Sequence, residues 1–100
     1  MDLGLKNRVA LVTGGSQGIG KACAIKLAEE GATVVIVARG RELLDQVAAD
    51  IRTAGGKVLA IAADVSQDAE CARIIQETLK AYGRIDILIN NAGTSATGEF

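Results

Sequence analysis

The stretch Arg8-Val9-Ala10-Leu11-Val12-Thr13-Gly14-Gly15-Ser16-Gln17-Gly18-Ile19-Gly20 decides the fold. Its first part, Arg8 to Thr13, is a short β-branched, apolar run that breaks off in glycine, and a helical pattern begins beyond it. A run this short and without alternation suits a strand buried on both faces of a parallel sheet. Working outward, three more runs of the same kind follow at Thr33 to Ala38, Lys57 to Ala62 and Ile85 to Asn90. Helical patterns separate them. Ile19, Ala22, Cys23, Lys26, Leu27 and Glu30 recur at helical spacing, and Gly31 stands where a helix would stop. Leu44, Val47, Ala48 and Ile51 form a second stripe, closed by Gly55-Gly56. Ser66 is placed to cap a third helix, whose Cys71, Ile75, Leu79 and Tyr82 line one face before Gly83.

The order β-α-β-α-β-α-β predicts an α/β fold, a Rossmann-type open parallel sheet with right-handed crossovers and helices on both faces. Ile87, Leu88 and Ile89 are too apolar for an exposed edge, so the fourth strand reads as an interior one. Residues 1–100 are accordingly expected to form the front, cofactor-binding portion of a single, longer doubly wound domain.

Composition narrows the function. Lys plus Arg is 11 against 12 for Asp plus Glu, a net charge of −1, which supplies no basic field for nucleic acid or an anionic membrane. Aromatic residues are 2%, too few for base stacking, while 49% hydrophobic and 23% charged residues suit a packed globular chain. Cys23 and Cys71 lie far apart and histidine is absent, so no metal site is expected. Met1 to Lys6 carries no apolar leader, and the longest apolar run, Val58 to Ala63, is far short of the roughly 20 residues of a membrane span. The expected compartment is the cytoplasm.

The loop from Thr13 to Gly20 has the glycines that a phosphate-binding turn requires. Gly14 permits the tight turn, Gly18 lets a ligand approach the backbone, and Gly20 lets the helix pack closely on the sheet. The helix N-terminus then offers free N–H groups and a partial positive charge to a dinucleotide pyrophosphate. Gly14, Ser16, Gln17, Gly18, Ile19 and Gly20 are the candidate contacts. Gly15 to Lys21 also fits the first seven positions of G-x-x-x-x-G-K-[ST], but the eighth is Ala22, which has no hydroxyl for Mg²⁺. A nucleoside triphosphatase is thereby excluded.

The end of the second strand selects the nucleotide. An acidic residue there would accept from the ribose 2′-hydroxyl of NAD, whereas arginine suits the 2′-phosphate of NADP. The chain has Arg39, with Arg41 close behind and no acid before Glu42. A guanidinium fork matches a phosphate, and the missing carboxylate also argues against a methyltransferase of similar topology. NADP is the expected cofactor, the alternative for Arg39 being an ordinary solvated charge at a helix start. Past the third strand, Asp64 can accept from an adenine amino group while Val65 offers a backbone N–H. Asp64 could instead serve as a capping neighbour of Ser66. Past the fourth strand, Asn90, Asn91, Ala92 and Gly93 let the chain pass against a flat ligand. Asn90 suits a structural tie between strand ends as well as it suits a ribose contact.

In Thr13-Gly14-x-x-x-Gly18-x-Gly20, Asp64-Val65 and Asn90-Asn91-Ala92-Gly93, all 100 residues considered, the sequence resembles the short-chain dehydrogenase/reductase family. The glycine spacing is similar to its compact branch, and the opening segment to 3-oxoacyl-[acyl-carrier-protein] reductases. The resemblance implies an NADP-dependent oxidoreductase interconverting a small-molecule ketone and a secondary alcohol, usually as a homotetramer. It also implies a catalytic tyrosine with a lysine four residues on. Here Tyr82 is followed four positions later by Asp86, so Tyr82 reads as core and the catalytic groups are expected beyond Phe100. A non-catalytic module that binds or senses NADP is the competing expectation, and a nucleotide-fold domain without a ligand is a more distant one.

Overall fold

In a computed structural model, residues 4–14 and 18–91 are described, and among them are four strands and three helices in the expected order. They are β1 (Val9–Thr13), α1 (Gly18–Glu29), β2 (Thr33–Ala38), α2 (Arg41–Thr53), β3 (Lys57–Ala62), α3 (Asp68–Tyr82) and β4 (Ile87–Asn90). All pairings are parallel and the sheet order is β3-β2-β1-β4. The chain therefore winds outward from β1 through β2 to β3, then returns to the other side of β1 to lay down β4. That reversal opens a crevice at the carboxyl ends of β1 and β4, where ligands of open α/β sheets bind.

The continuous apolar runs have the anticipated cause. Each strand supplies both faces of the sheet. Val12, Val34, Ile36 and Val58 meet Ala24 of α1 and Leu44, Val47, Ala48 and Ile51 of α2 on one side. Val9, Leu11, Val35, Val37 and Ile61 meet Ile74 of α3 on the other. The result is a three-layer α/β/α arrangement. Tyr82 is half-buried against the second of these clusters, as its place in the apolar pattern suggested. No helix among the described residues is long and apolar enough to cross a membrane.

Two helix faces depart from the expected ones. In α1 the sheet-facing row is Gly20 and Ala24, four residues apart, and Ile19 is 74% exposed. The helix lies so close to the sheet at its start that only small residues fit beneath it. In α3 the buried residues are Ile74 and Thr78, while Ile75 and Leu79 are exposed. Thr78 can be buried because its hydroxyl donates to the Ile74 carbonyl oxygen at 2.8 Å, which satisfies it within its own helix. A pattern that counts threonine as polar sets the helix about 100° out of phase.

Ser66 is not the cap of α3 either. Gln67 holds that position without a side-chain capping bond, and Ser66 bonds back to Asp64. The first and fourth strands are shorter than the runs that predicted them, beginning at Val9 and Ile87. Asp86 explains both starts. Its Oδ2 accepts the Val9 N–H at 2.8 Å and its own N–H donates to the Val9 carbonyl at 2.8 Å, so side chain and backbone join the strands there. Among the described residues β4 is an edge strand, and Leu88 on it is 63% exposed.

Candidate cofactor crevice

The crevice at the strand ends has a volume of about 840 Å³. Its walls come from Thr13 at the end of β1 and Gly14 after it, Arg39 and Gly40 after β2, Asp64, Val65 and Ser66 after β3, and Asn90 at the end of β4 and Asn91 after it. Of the expected site residues, Gly14, Arg39, Asp64, Val65, Asn90 and Asn91 are thus brought together although they come from all four strand ends. Gly18, Ile19 and Gly20 open α1 but do not line this cavity. Ser16, Gln17, Ala92 and Gly93 lie outside the described residues.

The turn after β1 is held tightly. Gly14 has φ of 70°, the left-handed region that favours glycine, and its N–H donates to the Val37 carbonyl at 2.7 Å. A side chain on Gly20 would overlap the Gly14 carbonyl oxygen and come within 3.3 Å of Asn91 Nδ2. Gly20 therefore keeps α1 close to the turn itself as well as to the sheet. A helix N-terminus drawn onto a glycine turn in this way is a cradle for an anion.

Thr13, quoted in the glycine motif but given no role there, ties β1 to β4. Its hydroxyl donates to Asn90 Oδ1 at 2.9 Å and accepts from the Asn91 N–H at 3.2 Å. Of the two roles open to Asn90, the structural tie is made. Asn91 differs: its Nδ2 is buried and has no hydrogen-bond partner among the described residues. A buried donor without a partner carries a desolvation cost, and a ligand or the neighbouring chain could relieve it.

The two arginines after β2 are also distinguishable. Arg41 bonds Asp45 one turn along α2, at 3.2 Å, whereas Arg39 makes no hydrogen bond or ion pair among the described residues. Across the crevice, the Asp64 carboxyl is held below the usual carboxylate range. Its bond from the Ser66 hydroxyl is the main cause, followed by the Ser66 N–H and the positive charge of Arg39. The turn bearing Asp64 is braced from α3, a contribution with no evident sequence motif. Arg73 donates to the Ala62 carbonyl at 2.9 Å while pairing with Glu70 and Glu77. The bond from Arg73 depresses the Glu70 pKa. No group of three or more His, Cys, Asp or Glu among the described residues is placed to hold a metal.

A guanidinium without a hydrogen bond or ion pair among the described residues and a buried amide donor without a partner at one crevice fit a ligand carrying an anionic group and a hydrogen-bond acceptor. The fold and this crevice define the class, a Rossmann-type nucleotide-binding domain. Residues 8–100 match the short chain dehydrogenase family. The chain is 41% identical, over 96% of its length, to a (2S)-[(R)-hydroxy(phenyl)methyl]succinyl-CoA dehydrogenase subunit of Thauera aromatica, and spans 39% of that relative. It is 43% identical over 89% of its length to an 11-beta-hydroxysteroid dehydrogenase of Pinus massoniana, spanning 25% of it. Among solved structures, a metagenomic short-chain oxidoreductase in complex with NADP superposes with a TM-score of 0.85. The identity there is 46%, covering 89% of this chain and 40% of the other. Glucose dehydrogenase of Caenorhabditis elegans, in its apo form, superposes equally well at 0.85, with 42% identity over 91% of this chain and 40% of that one.

The chain belongs to the short-chain dehydrogenase/reductase family, oxidoreductases that bind a nicotinamide cofactor. It spans about 40% of the length of the solved relatives named here.

Proposed function

We propose that this chain supplies the NADP site of an oxidoreductase that interconverts a ketone and a secondary alcohol. Arg39 carries the reading. It is the cation at the crevice after β2 that has no hydrogen bond or ion pair among the described residues, and no acidic residue follows β2 before Glu42 to accept from a free 2′-hydroxyl. Gly14, Ser16, Gln17, Gly18, Ile19 and Gly20 would hold the pyrophosphate, and Arg39 the 2′-phosphate. Asp64 and Val65 would hold the adenine, with Asn90, Asn91, Ala92 and Gly93 flanking the ribose and nicotinamide. When bound, NADP supplies or accepts the hydride. The chain's own contribution is to neutralise phosphate charge, orient the nucleotide and satisfy the orphaned Asn91 amide. A small-molecule substrate, a cytoplasmic setting and a homotetramer belong to the same proposal, as does placing the proton-transferring groups outside residues 1–100.

Cofactor titration of the full-length protein tests this. Arg39→Asp is expected to weaken NADPH relative to NADH by about 10–100-fold, the effect of losing a charged contact of about 1.5–3 kcal/mol. Equal losses for both cofactors would remove Arg39 as the selector. The competing reading, a binding module without turnover, retains NADPH binding but lacks ketone-dependent NADPH oxidation.

A further inference from the structure

The two oxygens of the Asp64 carboxylate are not equivalent. Oδ1 accepts both the Ser66 N–H at 2.9 Å and the Ser66 hydroxyl at 2.7 Å. Oδ2 has no hydrogen bond among the described residues. An isolated carboxylate turns freely about its terminal torsion, but two donors converging on one oxygen fix its plane. The backbone on either side is held as well, by Arg73 on the Ala62 carbonyl at 2.9 Å and the Cys71 thiol on the Val65 carbonyl at 3.1 Å. Asp64 and Ser66 both line the crevice.

Resting on the NADP reading above, we infer that Ser66 is a positioning residue. It turns Asp64 so that Oδ2 alone is offered to the nucleotide base, which makes the crevice selective for an amino-purine over a 6-oxo-purine. The amino group of adenine donates to Oδ2. The carbonyl of hypoxanthine would set an acceptor against Oδ2 at the position where adenine places its donor, the arrangement by which polar sites reject analogues. Without the Ser66 hydroxyl the carboxylate keeps one tether, turns more freely and loses this discrimination.

The test measures dissociation constants of NADPH and of its hypoxanthine counterpart for the full-length protein, by nicotinamide fluorescence. The wild type is expected to prefer NADPH by about tenfold or more, a difference of about 1.4 kcal/mol or more. Ser66→Ala should lose most of that ratio, and Ser66→Thr, which restores the hydroxyl, should recover it. A ratio unchanged in Ser66→Ala overturns the inference, as does a uniform loss for both nucleotides, which a merely structural role would produce. Should Ser66→Ala fail to fold, Ser66→Cys, a weaker donor of similar size, is expected to give an intermediate ratio, and an unchanged one counts against Ser66 equally. A wild type that binds NADPH tightly without preferring it sinks this inference alone. One that binds neither nucleotide sinks the NADP reading with it.

Discussion

Gly20 shows how little room the crevice leaves at the level of single residues. A methyl group there would overlap the Gly14 carbonyl oxygen, which is backbone and cannot rotate away. Gly20→Ala is therefore expected to push α1 off the turn, costing about 1–3 kcal/mol of stability as overpacking does. It should also weaken NADPH by at least about tenfold, because the helix N–H groups would retreat from the pyrophosphate proposed to sit there. Calorimetric titration and urea unfolding check the two effects separately, and a variant with wild-type affinity would show that the cradle is not the phosphate site. Arg39 carries the opposite kind of information. Its sequence position announced a cation after β2, but only the folded structure distinguishes it from Arg41, which is already engaged by Asp45.

Among the elements, α3 separates pattern from packing. The sequence pattern sets one stripe through Cys71, Ile75, Leu79 and Tyr82, and the structure shows another row, Ile74 and Thr78. Packing on the sheet selects the second, since Thr78 satisfies its own hydroxyl and Ile74 enters the cluster with Leu11, Val35 and Val37. Ile74→Ala should cost about 2–5 kcal/mol, as core truncations do. Leu79→Ala should stay within about 0.5 kcal/mol, the range of an exposed change. Urea denaturation of the two variants decides which face is buried. By contrast α2 was fully legible, because Leu44, Val47, Ala48 and Ile51 allow one phase only and all four are buried.

For the whole molecule, the join between β1 and β4 matters most, since that pair borders the crevice. Asp86 holds it from the far end of the strands. Its carboxylate accepts from Arg84 and the Val9 N–H, and from Arg8 at 3.4 Å, and these contacts, that of Arg84 first, bring its pKa down to about 2. An unfolded aspartate titrates near 3.9. The folded value is the lower, so the stabilisation is fully present above about pH 4 and disappears as pH falls through about 2. Asp86→Asn should accordingly be less stable than the wild type at neutral pH and flatter in its pH dependence between about 4 and 2. Urea midpoints across that range measure it, and parallel curves would show that Asp86 has no part in the acid response.

The sequence by itself determined the order of strands and helices, the parallel sheet and the places where the chain turns. These follow from local chemistry, because runs buried on two faces, glycine stops and a clean helical stripe are written in adjacent residues. It also named residues that meet at the crevice, since the ends of parallel strands converge wherever those strands pair. Only the tertiary structure decided which faces of α1 and α3 are buried, that Ser66 serves Asp64 instead of capping a helix, and that Thr13 and Asp86 fasten β1 to β4. The Ser66–Asp64 bond is a local choice between two turn geometries, whereas the other outcomes depend on contacts between residues distant in the chain, or on a buried polar group finding its partner. Neither leaves a periodic mark in the sequence.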